Sequence, residues 1–125
     1  MSLSADALDC IFRTARTHRA WTARPVTDET LRAIHELMKW GPTSSNSCPA
    51  RIAFVRSPEA KERLRPALDA GNVAQTMAAP ATAILAYDLE FHEKLPLLAP
   101  HYDARSAFVG KPELIRTTAQ QSGTL

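Results

Sequence analysis

Two short, uniformly apolar runs constrain the fold of this chain more than any other feature. Residues 52–55 lie between Pro49 and Pro58, and residues 81–87 follow Pro80. Apolar runs of this length, without polar alternation, are typical of strands that are covered on both faces. We therefore predict two strands that require layers of helices above and below their sheet.

Helical signals precede the first strand. Ser4 is a suitable N-cap for a first helix that ends near Arg16, and Thr27 caps a second helix that Gly41-Pro42 terminates. The apolar stripes that we expect to be buried are Leu8, Ile11, Phe12 and Ala15 in the first helix, and Leu31, Ile34, Leu37 and Met38 in the second.

Further helices are predicted between and after the strands. A third helix begins after Ser57, with Pro58 at its first position, and is limited by Pro66. A fourth covers about residues 72–78, and a last short one covers about residues 112–118. Helices that alternate in this way with apolar strands predict a layered α/β or α+β domain.

Two strands alone are a poor basis for a free-standing sheet, since both sides would be exposed edges. From Leu89 onward the pattern is mixed, and residues 95–100 are apolar but broken by prolines. Residues 117–125 offer no further strand. The residues themselves therefore predict that part of the fold is missing from this sequence.

Composition excludes several classes of function. The chain has 125 residues, 45% of them hydrophobic and 22% charged, which is typical of a single soluble domain with a core. A net charge of +2 without a strong basic cluster argues against a nucleic-acid or membrane surface. Cys10 and Cys48 form no CxxC pair, so we expect a cytoplasmic protein without disulfides. We find no signal peptide and no membrane-spanning run.

Familiar catalytic and metal-binding motifs are absent from the sequence. His92, His101 and Asp103 lack convincing ligand spacing, so we predict no metal site. There is no GxSxG, Walker or GxGxxG motif, and the chain has only four glycines, which argues against a Rossmann dinucleotide site.

Two polar segments remain as candidate binding sites. Arg16, Thr17 and Arg19 bring two guanidinium groups and a hydroxyl close together, which suits a phosphate. With Arg13 and Arg24 nearby, a merely solvated basic face is the alternative. The second segment, residues 41–46, is a small polar loop that can bring N–H groups and hydroxyls to a ligand.

These two segments together resemble the signature of the nitroreductase family. The residues that carry the resemblance are Arg16, Thr17 and Arg19, then Pro42, Thr43, Ser44 and Asn46, and finally Asn72. The resemblance extends to about Ala119. Residues 15–18, 38–44, 61–68, 95–98 and 103–106 are most similar to the malonic semialdehyde reductase subgroup of pyrimidine degradation.

The resemblance implies an α+β fold, the three-layer α/β/α sandwich of FMN-dependent nitroreductases, in a homodimer with FMN at the interface. By this comparison the chain is incomplete, because the C-terminal third of the fold is absent. Residues 1–119 are the expected N-terminal part of the domain, and residues 120–125 are a tail that does not match.

The resemblance also assigns roles to the candidate residues. Arg16, Thr17 and Arg19 are expected to bind the FMN phosphate, Asn72 the pyrimidine edge of the ring, and Pro42, Thr43, Ser44 and Asn46 of the partner subunit the ring itself. NAD(P)H would supply hydride through the flavin, so no catalytic acid or base is named. Related enzymes often carry lysine where this chain has the neutral Gln75.

The expected reaction is the reduction of a small acceptor, best represented by malonic semialdehyde, which would give 3-hydroxypropanoate. One alternative is a truncated, non-catalytic remnant with a partial FMN site or none. Another is a small regulatory binding module that is unrelated to flavin.

Overall fold

A computed structural model describes residues 2–123 of the chain. Within this range it contains six α-helices: α1 (Ala5–Leu8), α2 (Asp28–Met38), α3 (Pro58–Leu64), α4 (Ala70–Ala78), α5 (Leu95–Leu98) and α6 (Pro112–Gly123). Shorter helical turns occupy Asp9–Arg13, Ser44–Asn46, Arg65–Ala67, Phe91–Lys94 and Arg105–Ala107. No helix within the described range is long and apolar enough to cross a membrane.

The sheet has two strands, β1 (Ala50–Val55) and β2 (Thr82–Tyr87), in the part of the chain that the structure describes. They pair antiparallel, with Ala50 opposite Tyr87 and Val55 opposite Thr82. Helices α3 and α4 connect them in place of a tight turn. Both predicted strands are therefore confirmed, and the mixture of helices with a small sheet fits an α+β fold.

The caps of three helices follow the sequence signals. The side-chain oxygens of Ser4, Thr27 and Ser57 accept hydrogen bonds from backbone N–H groups three residues further on, at 3.2, 3.3 and 3.2 Å. Each bond satisfies a donor that the first helical turn would otherwise leave unpaired. The first helix is shorter than predicted, because α1 ends at Leu8 and a π-helical turn replaces its continuation.

Burial of both strand faces was expected, and for this chain that expectation is wrong. Leu85 is 62% exposed, and Phe54 and Ile84 are also exposed. The apolar sequence still favours extended backbone, because β-branched and aromatic side chains suit a pleated surface. Covering the surface requires further layers, and residues 2–123 do not supply them on both sides.

The predicted apolar stripes are also largely exposed. Of the stripe on α2 only Leu31 is buried, while Leu37 is 79% exposed. Ile11 and Phe12, which follow α1, are exposed as well. Periodicity correctly indicates which side of a helix is apolar, but burial depends on a neighbouring element that packs against that side.

A compact core lies further along the chain. This C-terminal core consists of Phe91, Leu95, Ala99, Ala104, Phe108 and Ala119, with Tyr87 and Ile115 packed against it. The rings of Phe91 and Phe108 meet edge to face, with their centroids 5.0 Å apart. Proline does not disrupt α5, because Pro96 lies in its first turn, where no intrahelical N–H donor is lost.

Helix α6 continues beyond its predicted end at Thr118 and reaches Gly123. Ser122 is buried, so residues 120–123 belong to the folded body. A Cβ at Gly123 would lie 2.7 Å from Cβ of Tyr87, closer than two such atoms can approach. Glycine at this position therefore allows α6 to pack tightly against β2.

Helices α3 and α4 are joined by a buried lysine. Lys61 of α3 is 7% exposed, and its Nζ donates to the backbone oxygens of Met77, at 3.1 Å, and of Ala79. These carbonyls lie at the C-terminal end of α4, where no following helical N–H groups are available to donate to them. The ammonium group thus acts as a C-terminal cap supplied by a neighbouring helix.

The molecule exposes a large surface for its mass. Its accessible area is 9595 Å², whereas a compact monomer of 13.7 kDa exposes roughly 6,600 Å². The exposed apolar side chains of α2 and the sheet contribute to this excess. An excess of this kind is typical of a chain whose apolar faces are covered by other polypeptide.

Candidate functional site

The N-terminal arm, residues 14–25, contains the first group of candidate residues. It lacks regular secondary structure, and every one of its residues is exposed. The Arg16 guanidinium donates to the backbone oxygens of Arg13 and Ala15, at 3.1 and 2.6 Å. These bonds hold Arg16 against its own backbone without neutralising its charge.

The arginines of the arm carry no acidic partner. Within residues 2–123, Arg16, Arg19 and Arg24 form no ion pair, whereas Arg13, just before the arm, pairs with Asp9 at 2.6 Å. The other arginines that form ion pairs are Arg51, Arg56, Arg65 and Arg105. Of the four clustered arginines noted in the sequence, only Arg13 is therefore neutralised by an ion pair. The three arginines of the arm are available to an external anion.

One side chain ties the arm to the rest of the molecule. The indole N–H of Trp21 donates to the backbone oxygen of Gln75 in α4, at 2.8 Å. On the same helix, Nε2 of Gln75 donates to Oδ1 of Asn72 at 3.3 Å. Because that bond occupies only the oxygen of the Asn72 amide, its Nδ2 group has no partner within residues 2–123, and Asn72 is an exposed residue. The arm and Asn72 thus belong to one region.

The polar loop, residues 42–49, contains the second group. Ser45, Asn46 and Cys48 adopt positive φ angles of 54°, 52° and 44°. Such angles are uncommon for residues other than glycine, although asparagine tolerates them. The loop is closed on itself by the Cys48 N–H, which donates to Oγ1 of Thr43 at 3.2 Å. Backbone of this kind is found preferentially at functional sites.

Two contacts fix the polar loop to the C-terminal half of the molecule. Nδ2 of Asn46 donates to the backbone oxygen of Leu98 in α5 at 2.8 Å, and the Ser44 N–H donates to Oγ of Ser122 in α6 at 3.3 Å. Ser47 is 1% exposed, and its Oγ has no hydrogen-bond partner in the described chain. The loop is therefore held rigidly, with its outer surface exposed.

A groove of about 1210 Å³ runs between α2 and β1 and ends at Pro42 and Thr43. Leu31 and Met38 form its helical wall, and Phe54 contributes to the wall on the strand. Its volume exceeds the 300–1,000 Å³ range that is usual for small-molecule pockets. The groove is better described as an uncovered gap between two layers than as a closed site.

Ion pairs connect the sheet to the C-terminal core near the polar loop. Asp88 follows β2 and contacts Lys94 and Arg51, the latter at 2.6 Å. The hydrogen bond from Lys94, with a further one from the Glu90 N–H, holds the pKa of Asp88 below its ordinary value. Asp88 therefore stays ionised and orders the chain at the end of the sheet.

The described residues contain no group of three metal-ligating side chains. His92 and His101 with Asp103 were considered at the sequence level, and the structure forms no such cluster from them.

The candidate residues form two separate groups. Within residues 2–123, no hydrogen bond or ion pair joins the N-terminal arm to the polar loop. Asn72 lies with the arm, through Trp21 and Gln75. Sequence reasoning missed the bond from Trp21, because a lone tryptophan carries no signal for a hydrogen bond to a residue so distant in sequence. It also missed the contact from Ser122.

The model of the nitroreductase family matches residues 12–86. This range includes β1, β2 except its last residue Tyr87, the N-terminal arm, the polar loop and Asn72. It ends before the C-terminal core begins at Phe91.

Proposed function

The chain belongs to the nitroreductase family, and on this premise we propose that it binds FMN and transfers hydride from NAD(P)H to a small acceptor. Membership of the family indicates a flavin-dependent oxidoreductase. The proposal adds which residues hold the cofactor and which acceptor is reduced.

The observation that carries the proposal is the set of arginines in the N-terminal arm that form no ion pair within residues 2–123. Arg16 and Arg19 have no acidic partner in the described chain, and Thr17 is exposed between them. A phosphate dianion is bound best by guanidinium groups and hydroxyls that are not already neutralised. The free amide Nδ2 of Asn72 suits a carbonyl oxygen, such as that on the pyrimidine edge of a flavin. The residues present therefore fit FMN.

The polar loop completes the proposed site from a second subunit. Pro42, Thr43, Ser44 and Asn46 are assigned to the face of the flavin ring. Within residues 2–123 of one chain the loop forms no hydrogen bond with the arm, which supports a site that draws on two copies. A homodimer would also cover part of the exposed apolar surface.

When it is bound, the flavin supplies the hydride-transfer chemistry. The protein residues bind the cofactor, orient its ring and set the charge around it. Gln75, beside Asn72, offers an uncharged amide where related proteins often place lysine. An amide stabilises added negative charge less than a cation does, so we expect a lower reduction potential than in those relatives.

The proposed acceptor is malonic semialdehyde, whose aldehyde carbon would accept hydride to give 3-hydroxypropanoate. This assignment is supported by the similarity of residues 38–44 and 61–68 to that subgroup. NADH and NADPH are the proposed hydride donors, to be compared in the same assay.

Flavin binding is tested by gel filtration of the purified chain with FMN, followed by visible absorption across the protein peak. Arg19→Gln should weaken FMN binding roughly 10- to 100-fold, because a charge-assisted hydrogen bond is lost. Arg116→Gln is the control, since it removes an exposed arginine of α6 and the same charge. Equal affinities in the two variants would contradict the assignment of the arm.

A non-catalytic remnant is the second candidate, and the large exposed area of 9595 Å² favours it. It predicts protein that elutes without flavin or aggregates at every FMN concentration tested. Flavin that elutes with a dimer, followed by NAD(P)H oxidation that depends on the acceptor, would exclude this candidate.

A further inference from the structure

The hydrogen bond from Trp21 to α4 is not explained by the family assignment. Among residues 2–123, it is the only side-chain hydrogen bond that joins the N-terminal arm to a residue outside the arm and the adjacent helical turn. Trp21 is 47% exposed, so its position is not explained by burial in a core. Its ring lines a shallow pocket of about 210 Å³ formed with the end of α4 and the start of β2.

The acceptor of this bond is a helix carbonyl that has a second donor. The backbone oxygen of Gln75 receives the Ala79 N–H at 3.1 Å and the Trp21 indole N–H at 2.8 Å. A carbonyl oxygen has two lone pairs and can accept both. The bond therefore adds to the helix without breaking its ladder, and it does not depend on the side chain at position 75.

Trp21 stands between the two parts of the site. Arg19 precedes it by two residues, which limits the separation of their Cα atoms to about 7 Å. Asn72 precedes Gln75 by three residues on α4, a rise of about 4.5 Å along the helix. A single hydrogen bond thus sets the position of the arginines proposed to bind the phosphate relative to the Asn72 amide proposed to bind the flavin ring.

We propose that Trp21 is a positioning residue that couples the phosphate-binding arm to Asn72, so that both can engage one ligand at the same time. The proposal rests on the proposed binding of FMN. Within residues 2–123, no other side-chain hydrogen bond anchors the arm in this way. An exposed arm without regular structure loses conformational entropy when a ligand binds, and the Trp21 bond reduces that loss.

The coupling is measured with two ligands that share a ring. FMN carries the phosphate, and riboflavin lacks it. Trp21→Phe keeps an aromatic ring and removes the N–H donor. It should raise the Kd for FMN roughly 3- to 10-fold, the size expected for one hydrogen bond, and change the Kd for riboflavin less than about two-fold. Trp40→Phe is the matched control, because Trp40 is 79% exposed and far less enclosed.

Other outcomes of this measurement contradict the coupling. Equal weakening of FMN and riboflavin would assign Trp21 to general support of α4. Unchanged affinity for both would remove its role altogether. In the Arg19→Gln background, Trp21→Phe should have little further effect on FMN, since the two residues act through the same contact; full additivity would overturn the proposal.

A second measurement does not require flavin. Trypsin cleaves after Arg16 and Arg19, and Trp21→Phe should speed cleavage in the arm roughly 3- to 10-fold, as expected for the loss of one hydrogen bond. Trp40→Phe should not. If the wild-type chain binds neither flavin, the proposed function fails, and the cleavage rates alone decide whether Trp21 anchors the arm. Equal rates in wild type and Trp21→Phe would overturn the anchoring.

Discussion

The C-terminal core and the two-stranded sheet contain similar side chains in opposite surroundings. Leu95 in the core is 0% exposed, while Leu85 in β2 is 62% exposed. Both lie in regular structure, and both belong to apolar runs of the sequence. Apolar sequence therefore determines which surface needs to be covered, whereas burial depends on whether another element is available to cover it.

The candidate binding residues lie in the exposed region of the molecule. The family match, residues 12–86, includes the sheet except Tyr87 and all the candidate residues, and the C-terminal core falls outside it. Binding residues are commonly carried by loops that a rigid scaffold positions. Here the polar loop is hydrogen-bonded to Leu98 of α5 and Ser122 of α6, two helices that also contribute residues to the C-terminal core.

The largest effect is expected from matched leucine substitutions. Leu95→Ala should lower the free energy of unfolding by about 2–5 kcal/mol, because it leaves a cavity in a closed core. Leu85→Ala should change it by less than about 0.5 kcal/mol. Denaturant unfolding measures both. A large loss of stability in Leu85→Ala that grows with protein concentration would contradict this expectation, since it would mean that association covers the sheet.

Substitutions of two glycines test how closely α6 packs against β2. Gly123→Ala should destabilise the chain by about 1–3 kcal/mol, because the new Cβ overlaps with Tyr87. Gly71→Ala is the control: no atom lies within 4 Å of the added carbon, and alanine is the better helix former. Thermal unfolding should show opposite shifts. Equal behaviour would mean that α6 does not pack closely on the sheet.

The contact between the polar loop and α5 is expected to contribute less. Asn46→Ala should cost about 1–2 kcal/mol, because it removes the bond to Leu98 and places alanine at a positive φ. Asn46→Gly removes the same bond without the steric cost. If both variants lose equal stability in denaturant unfolding, the positive φ carries no penalty at this position.

The smallest effect concerns the ion pairs that join the sheet to the core. The pKa of Asp88 is lowered in the folded chain, chiefly by the hydrogen bond from Lys94. The stability that ionised Asp88 gives the folded chain is therefore complete above the pKa of about 3.9 that the residue has in the unfolded chain. This stability is lost as the pH falls through the lower pKa that Asp88 has in the folded chain. Asp88→Asn should lower the free energy of unfolding by about 1 kcal/mol near pH 7 and should change it little at a pH below the folded pKa of Asp88. Unfolding curves across pH measure this dependence.

A control separates this contact from the general effect of charge. Asp6→Asn removes a carboxylate from the exposed helix α1, and it should leave the difference between neutral and acid pH close to that of wild type. If Asp88→Asn and Asp6→Asn behave alike across the pH range, the contacts of Asp88 do not contribute specifically.

Local features of the fold could be predicted from the sequence. The caps at Ser4, Thr27 and Ser57 were predicted because each depends on a residue and its near neighbours. Both strands were predicted because their composition favours extended backbone. The C-terminal core was missed, since short helical turns broken by prolines have no periodicity that marks their buried side.

Features that depend on distant residues could not be predicted in this way. The positive φ angles of Ser45 and Cys48 have no glycine to signal them. The hydrogen bond from Trp21 joins segments far apart in the sequence. The binding roles of Arg16, Thr17, Arg19, Pro42, Thr43, Ser44, Asn46 and Asn72 came from resemblance and stay predictions. The match over residues 12–86 confirms that the chain belongs to the nitroreductase family.

The route between the two strands has a consequence for the kinetics of folding. Because β1 and β2 pair across the whole of residues 56–81, their sheet cannot start from a tight hairpin. Closing so long a loop costs entropy before any strand contact compensates for it. The buried ammonium of Lys61, which joins α3 to the end of α4, shortens the effective loop once the two helices have met. We therefore expect the helical pair to form first and to limit the rate at which the sheet appears.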